Sequence, residues 1–229
     1  MATVSVIIPT LNEAENLPQL LDYLQNIPNQ SLAEIIVADG GSTDATCRIA
    51  MEYNATLLAC PRTGRAAQMN YGVQQATGKV LQFIHADTQP PASNFHDIIE
   101  ALQEGFEIGC FTYRFDSNHP LLRINSWFTH LHPLWCRGGD QAIFITRRLF
   151  NQLGGYKAHW KIMEEYDLLQ RARQHTSFKI IRKDGLVSAR KYKGRNYLQV
   201  QVANFIVFNM FLRGCSQEQL VRTYKRLLG

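Results

Sequence analysis

Four short apolar runs, each ending in polar residues and each separated from the next by a helical repeat, set the strongest constraint on how this chain folds. Residues 4–8 are mostly β-branched and stop at Pro9. Residues 34–38 end in Asp39-Gly40-Gly41, residues 55–60 lead into Arg62, Gly64 and Arg65, and residues 80–84 end in His85-Ala86-Asp87. Between the first two runs, Leu17, Leu20, Leu21 and Leu24 recur at helical spacing within 14–25. Further helices are predicted over 44–51, capped by Ser42 or Thr43, over 65–76, and from Ser93 to 104. Short strands alternating with amphipathic helices predict an α/β fold, a mostly parallel sheet with helices on both faces. Ligands of such sheets bind outside the carboxyl ends of the strands. That rim is where the polar residues fall: Thr10, Asn12 and Glu13 after the first run, Asp39 after the second, Arg65 after the third and Asp87 after the fourth.

The second half continues with a strand over 108–115 and a helix over 121–131. Gly138-Gly139-Asp140-Gln141 reads as a turn into a strand over 142–146, and a helix over 147–153 stops at Gly154-Gly155. Further on, Glu164, Glu165 and Asp167 place three acids in four positions. Leu168, Leu169 and Ala172 lie at i+3, i+4 and i+7 from Glu165, so Glu165 shares their buried face. Glu164 is turned roughly 100° away, towards Asp167 and Arg171. A carboxylate at the start of a helix and aimed at the core side suits a general base in a cleft. Acids that complement the helix dipole explain the same cluster without chemistry. Asp87 likewise reads either as a metal ligand facing a phosphate or as the cap of the next helix.

At 229 residues the chain buries a sizeable core, and with no repeat and no Pro-, Gly- or Ser-rich linker it reads as one domain. A net charge of +5 suits an anionic ligand or surface and is too mild to indicate nucleic acid. The excess concentrates in Lys179, Arg182, Lys183, Arg190, Lys191, Lys193 and Arg195, which form either a solvated face or a strip facing phosphate or lipid headgroups. Five scattered cysteines without a C-x-x-C pair argue against a disulfide framework and a structural zinc site. No charged leader and apolar signal core precede residues 4–8, so a cytoplasmic location is expected. No apolar stretch reaches the ~20 residues that span a bilayer. Residues 203–212, interrupted by asparagines and ended by Arg213, read as a helix that is docked or interfacial.

Together these segments resemble the family 2 inverting glycosyltransferases with the GT-A fold, a Rossmann-like α/β architecture. The resemblance covers nearly the whole chain, motif by motif and in order. Residues 4–13 look like the opening strand and nucleotide-contacting loop. Residues 36–44 are similar to the family's Asp-Asp-Gly-Ser-Thr-Asp turn, with Asp39 in the first acid position and Gly40 in the second. Gly64 to Asn70 match the helix start near the nucleoside. His85-Ala86-Asp87 stands at the metal-binding Asp-x-Asp, with His in place of the first Asp, and residues 163–168 look like the Glu-Asp-x-Asp-Leu motif, with Glu165 at the base position. The segments around Asp140, Glu165 and residues 188–191 resemble a short bacterial subgroup.

The resemblance implies a single domain over 1–229: a nucleotide-binding half over 1–105, an acceptor and catalytic half over 106–190, and a C-terminal helical segment over 191–229. It implies transfer of a sugar from a nucleoside diphosphate-sugar to an acceptor hydroxyl with inversion. Glu165 is then the base. Pro9, Thr10, Asn12, Glu13, Asp39 and Arg65 contact the nucleotide, and Asp87 holds a divalent cation, Mn²⁺ or Mg²⁺. His85 suits Mn²⁺ better than Mg²⁺. Asp140, Gln141, Glu164, Asp167, Arg190 and Lys191 are candidates for the diphosphate or acceptor. The acceptor is left open between lipid-linked and soluble, and residues 197–213 between peripheral membrane contact and a homodimer. The competing readings are a sugar-1-phosphate nucleotidyltransferase, which wants a Gly-rich basic loop after the first strand where this chain has Pro9-Thr10-Leu11-Asn12-Glu13, and a nucleotide-sugar-binding protein without turnover.

Overall fold

The strand Val4–Thr10 (β1) is buried at every residue, because both of its faces carry apolar side chains and both of its edges are paired. It lies inside a sheet seen in a computed structural model that describes residues 3–28, 31–194 and 196–229. Among these residues β1 is followed by the helix Leu17–Asn26 (α1), strand Leu32–Asp39 (β2), helix Thr46–Glu52 (α2), strand Thr56–Ala59 (β3), helix Arg65–Gln75 (α3) and strand Val80–Phe83 (β4). Then come a two-residue strand Thr88–Gln89 (β5), helix Asn94–Gln103 (α4), strand Ile108–Phe115 (β6), helix Pro120–Phe128 (α5), strand Phe144–Thr146 (β7), helix Arg147–Gln152 (α6) and helix Glu164–Ala172 (α7). Strand Lys179–Val187 (β8) and the helices Tyr197–Leu212 (α8) and Gln217–Leu228 (α9) complete the chain.

The sheet order is β3-β2-β1-β4-β7-β6-β8-β5. The first four strands are parallel, β7 runs antiparallel to both neighbours, β8 is parallel to β6, and β5 closes the edge antiparallel to β8. Side-chain alternation splits the core in two. Val4, Val6 and Ile8 face the four leucines of α1 and Phe95, Ile98 and Ala101 of α4. Ile7 faces Ala66, Met69 and Val73 of α3, on the side that also receives Leu149 and Phe150 of α6 and Leu168, Leu169 and Ala172 of α7.

Several boundaries differ from the sequence reading for identifiable reasons. β1 runs through Pro9, because the proline nitrogen falls on the β4 side beyond the last β1–β4 pair, Ile7 with Phe83, and costs no ladder bond. α2 starts at Thr46 and neither Ser42 nor Thr43 caps it; the Ser42 hydroxyl donates to Asp39, and Asp44 accepts from the Thr46 backbone N–H (2.9 Å). β7 begins at Phe144 because Ala142 takes a left-handed conformation, φ +46°. β8 and β5 were not foreseen, and the helical segment expected over 191–229 divides into α8 and α9. Much of the basic strip is strand β8, where Lys179 pairs with Glu104 at the end of α4 and Lys183 with Asp97 within it, and Arg195 lies outside the described residues. No described helix is long and apolar enough to cross a membrane.

α3 lies close on the sheet at Gly72, where an added Cβ would stand 2.7 Å from Ile7 Cγ2. Ile7 is fully buried and β-branched, so it has little room to yield. Gly72→Ala is expected to cost about 1–3 kcal/mol, read as a lower urea midpoint with unchanged slope.

Candidate functional site

The carboxyl ends of β1 and β4 open into a cleft of about 1140 Å³. That volume lies at the top of the ~300–1,000 Å³ usual for small-molecule sites. Pro9, Thr10 and Glu13, then Thr63, Gly64, Arg65 and Gln68, line one end. His85, Ala86 and Asp87 form the floor, and Gly139, Asp140, Glu165 and Tyr166 face them. Arg190, Lys191, Tyr192 and Tyr197 close the remaining side.

At the β1 end the loops are fixed by two buried polar groups. Asp39 accepts the backbone N–H groups of Gly41 (2.9 Å) and Ser42 (2.8 Å) and the hydroxyls of Thr10 (3.1 Å) and Ser42. Burial works to raise its pKa, but the bonds from Ser42, Gly41 and Thr10 outweigh it and hold the carboxylate below its usual range. The Gln68 amide donates to the Thr10 carbonyl (2.7 Å) and the Ala38 carbonyl (2.8 Å), pinning the ends of β1 and β2 together. Gly40 is needed here, since a Cβ would stand 2.9 Å from the Gln68 side chain.

Across the floor, His85 lies between two acids, with Nδ1 3.1 Å from Asp140 and Nε2 3.5 Å from Glu165. Burial pushes the imidazole pKa down; the contacts with Asp140 and Glu165 more than reverse this and lift it to about 10. Both nitrogens face carboxylates in this arrangement, which favours the imidazolium. Asp140 is correspondingly pulled down to about 2, with the His85 contact overcoming burial. Glu165 is also lowered, because Arg65 and His85 together outweigh its desolvation. The array closes over Gly139, where a Cβ would stand 2.4 Å from Glu165 Oε1 and 2.5 Å from His85 Cε1. Beside it Glu164, fully buried, stands 2.8 Å from Arg65 Nε without a well-aligned hydrogen bond. Burial and the neighbouring Glu165 push its pKa up to about 7 against the pull of Arg65.

Asp87 sits where Arg190 bridges two acids, 2.7 Å from Asp87 Oδ2 and bidentate to Glu13 at 2.7 and 2.6 Å. Burial, then repulsion from Asp140, raises the Asp87 pKa, and Arg190 and His85 oppose the rise. Two hard oxygen donors, Asp87 and Asp140, thus face one cleft and repel each other, a donor set that fits Mg²⁺ or Mn²⁺ completed by phosphate and water. Among the described residues the only cluster of three ligand atoms within 4.8 Å of one another is His96, Asp97 and Glu100 on α4, where Asp97 is already paired with Lys183.

The cleft brings together Pro9, Thr10, Glu13, Arg65, Asp87, Asp140, Glu165, Arg190 and Lys191. Five other candidates stand behind its wall. Asp39 and Asn12 hold the β1 and β2 loops together, Asn12 through its carbonyl oxygen on the Thr43 N–H (2.9 Å). Gln141 accepts from the Gly138 N–H (3.2 Å). Asp167 is consumed by Arg171 and Lys157, both at 2.6 Å. Glu164 turns to Arg65, not to Asp167 and Arg171 as helical phase alone suggested, because the start of α3 packs on the same side of the sheet as α7. Sequence reasoning missed Gln68, which its place one turn into α3 could have flagged, and the aromatic wall of Tyr113, Tyr166, Tyr192 and Tyr197, which had no local signal.

The family model described as glycosyl transferase family 2 matches residues 5–163. The chain is similar to a dolichol-phosphate mannosyltransferase of Pyrococcus furiosus, 34% identical over 46% of this chain and 31% of that one. It is also similar to a PGL/p-HBAD biosynthesis glycosyltransferase of Mycobacterium bovis, 31% identical over 71% and 66%. It therefore spans only about a third to two thirds of the length of these curated relatives. Among solved structures, the mannosyltransferase PcManGT of Pyrobaculum calidifontis in complex with GDP-Man and Mn²⁺ superposes with a TM-score of 0.70 at 20% identity, over 93% of this chain and 64% of that one. The architecture is the GT-A fold, and with the matched region covering most of its length the chain belongs to glycosyl transferase family 2.

Proposed function

We propose that the chain transfers a sugar from a nucleoside diphosphate-sugar to an acceptor hydroxyl, with inversion. The observation that carries this reading is Glu165, a buried carboxylate whose Oε1 has only the 3.5 Å ion contact with His85 and no hydrogen bond, facing the same cleft as Asp87 and Arg190. Pro9, Thr10 and Arg65 take the nucleotide, while Asp39 and Asn12 support the loops from behind. Arg190 and Lys191 receive the diphosphate from the C-terminal side. Asp87, with Asp140 near it, would hold a divalent cation, which when bound would supply charge stabilisation for the leaving diphosphate. The cation and nucleotide sugar held by PcManGT on the same fold support both assignments.

Glu165 is kept ionised by Arg65 and His85, so it can accept a proton at neutral pH. The acceptor oxygen attacks the anomeric carbon from the face opposite the diphosphate. The bond from that carbon to the diphosphate oxygen breaks with its electron pair, and the acceptor proton passes to Glu165. The imidazolium of His85 fixes the carboxylate's orientation and holds Asp140 away from it.

Glu165→Gln is expected to lower transfer by at least ~10²-fold, while the thermal shift given by nucleoside diphosphate and Mn²⁺ stays at the wild-type value. Full transfer by that variant would sink the assignment. Gly139→Ala, which wedges the His85–Glu165 contact, should reduce kcat with little change in donor KM. Glu164 gives a pH signature. Its pKa rises from 4.5 to about 7 on folding, so the native state holds the extra proton in that window and stability falls as pH increases through it. In urea melts of the unliganded protein, Glu164→Gln should gain on wild type steadily between pH 4.5 and 7 and then level off.

A further inference from the structure

α8 carries large apolar side chains on every side, interrupted by Gln199, Gln201, Asn204 and Asn209, and only part of that apolar surface is covered. Val200, Ala203, Val207 and Phe211 are buried. Tyr197, Gln201 and Asn204 line the cleft. One position further along, Leu198, Val202 and Phe205 form a third stripe that faces outward, with Phe205 69% and Leu198 62% exposed. At ~100° per residue this stripe lies beside the cleft-lining one and across the helix from the buried one. A helix with apolar side chains on every side is normally enclosed.

The opposite lip repeats the arrangement. α5 sends Asn125 and Phe128 to the cleft and leaves Leu121, Ile124 and Trp127 exposed. Phe128 packs edge-on to Trp127 and tilted against Trp135, with ring centroids 5.5 and 5.6 Å apart, and both tryptophans are more than half exposed. The lips meet where the Asn125 amide donates to the Tyr197 hydroxyl (3.5 Å). The cleft therefore opens between two uncovered apolar strips.

Charge decides what covers them. The C-terminal hairpin and the turn before it expose Lys193, Arg213, Arg222, Lys225 and Arg226 against one acid, Glu218. A second copy would bring the same cationic excess to the same patch and be repelled. An anionic bilayer attracts it, and accommodates tryptophan at its headgroup level. We propose that this collar seats the protein on an anionic membrane, with α8 lying in the interface plane and the cleft mouth at the lipid surface. Resting on the sugar-transfer reading, the acceptor hydroxyl is then carried by an amphiphile of that membrane and reaches Glu165 along the tyrosine-walled side of the cleft.

The test is cosedimentation of the full chain with phosphatidylcholine vesicles with and without phosphatidylglycerol. Binding should be on the order of ten-fold tighter to the anionic vesicles and weaken with salt. The double variant Ile124→Glu/Phe205→Glu, which touches neither cleft wall, should lose at least about ten-fold in vesicle binding. Its thermal midpoint and nucleotide-induced shift should match wild type. Equal or absent binding to the two vesicle types overturns the proposal. So does a dimer in sedimentation equilibrium that Phe205→Glu dissociates, since a second copy would then own the face. Vesicle binding by a protein that never responds to nucleotide sugars upholds the docking surface and removes only the transferase reading.

Discussion

Charge compensation in one poorly solvated cleft is the constraint on which this structure depends. Glu13, Asp87, Asp140, Glu164 and Glu165 converge there, held by Arg65, His85 and Arg190. Leaving Glu164 or Glu165, the two most buried of these acids, ionised and unpaired would cost several kcal/mol. The pairing is close to sufficient and no more. Even with Lys191 added, the carboxylates outnumber the cations, and repulsion between neighbouring acids adds to burial in raising the pKa values of Glu164 and Asp87. A diphosphate entering such a site adds negative charge to an existing excess. A divalent cation arriving with it removes the conflict, which is why the donor and the cation are expected to bind as a unit.

Much of the frame was legible in the sequence because it rests on local periodicity. The leucines of α1, the apolar runs that became β1, β2 and β4, and the coreward phase of Glu165 each follow from side-chain spacing within one element. The partners did not follow. Arg65 meets Glu164, and Glu13 meets Arg190, only because distant segments converge on the same rim. β8 was hidden by its own cations, since a strand carrying lysines and arginines reads as a solvated strip. Ser42 was mistaken for a helix cap because Asp39, out of reach of a local reading, offered it a better acceptor.

The segment 188–192 links the two halves of the functional proposal. Its Ser188 N–H donates to the Asp87 carbonyl (3.0 Å) and its Ala189 N–H to Asp116 (2.7 Å), so the turn carrying Arg190 is anchored to the sheet. A few residues later the chain becomes α8. Anything that repositions α8 at a surface acts on a turn only one side chain away from Asp87, without needing a long pathway through the core.

His85 and Glu165 are the two places where this chain departs from the acid pattern that the family resemblance implies, and the geometry makes them one change. An aspartate at 165 would draw its carboxylate back by roughly one C–C bond, about 1.5 Å. From an Nε2 to Oε1 distance of 3.5 Å, that breaks contact with His85. An aspartate at 85 would instead face both Asp140 and Glu165, adding a third acid to a pair now reconciled by the imidazolium. An aspartate at 165 breaks the bridge and an aspartate at 85 removes its cation; together they would exchange a bridged floor for a carboxylate-rich one. The longer side chain at 165 and the histidine therefore belong to a single arrangement, in which the imidazole bridges Glu165 and Asp140 while Asp87 faces Arg190.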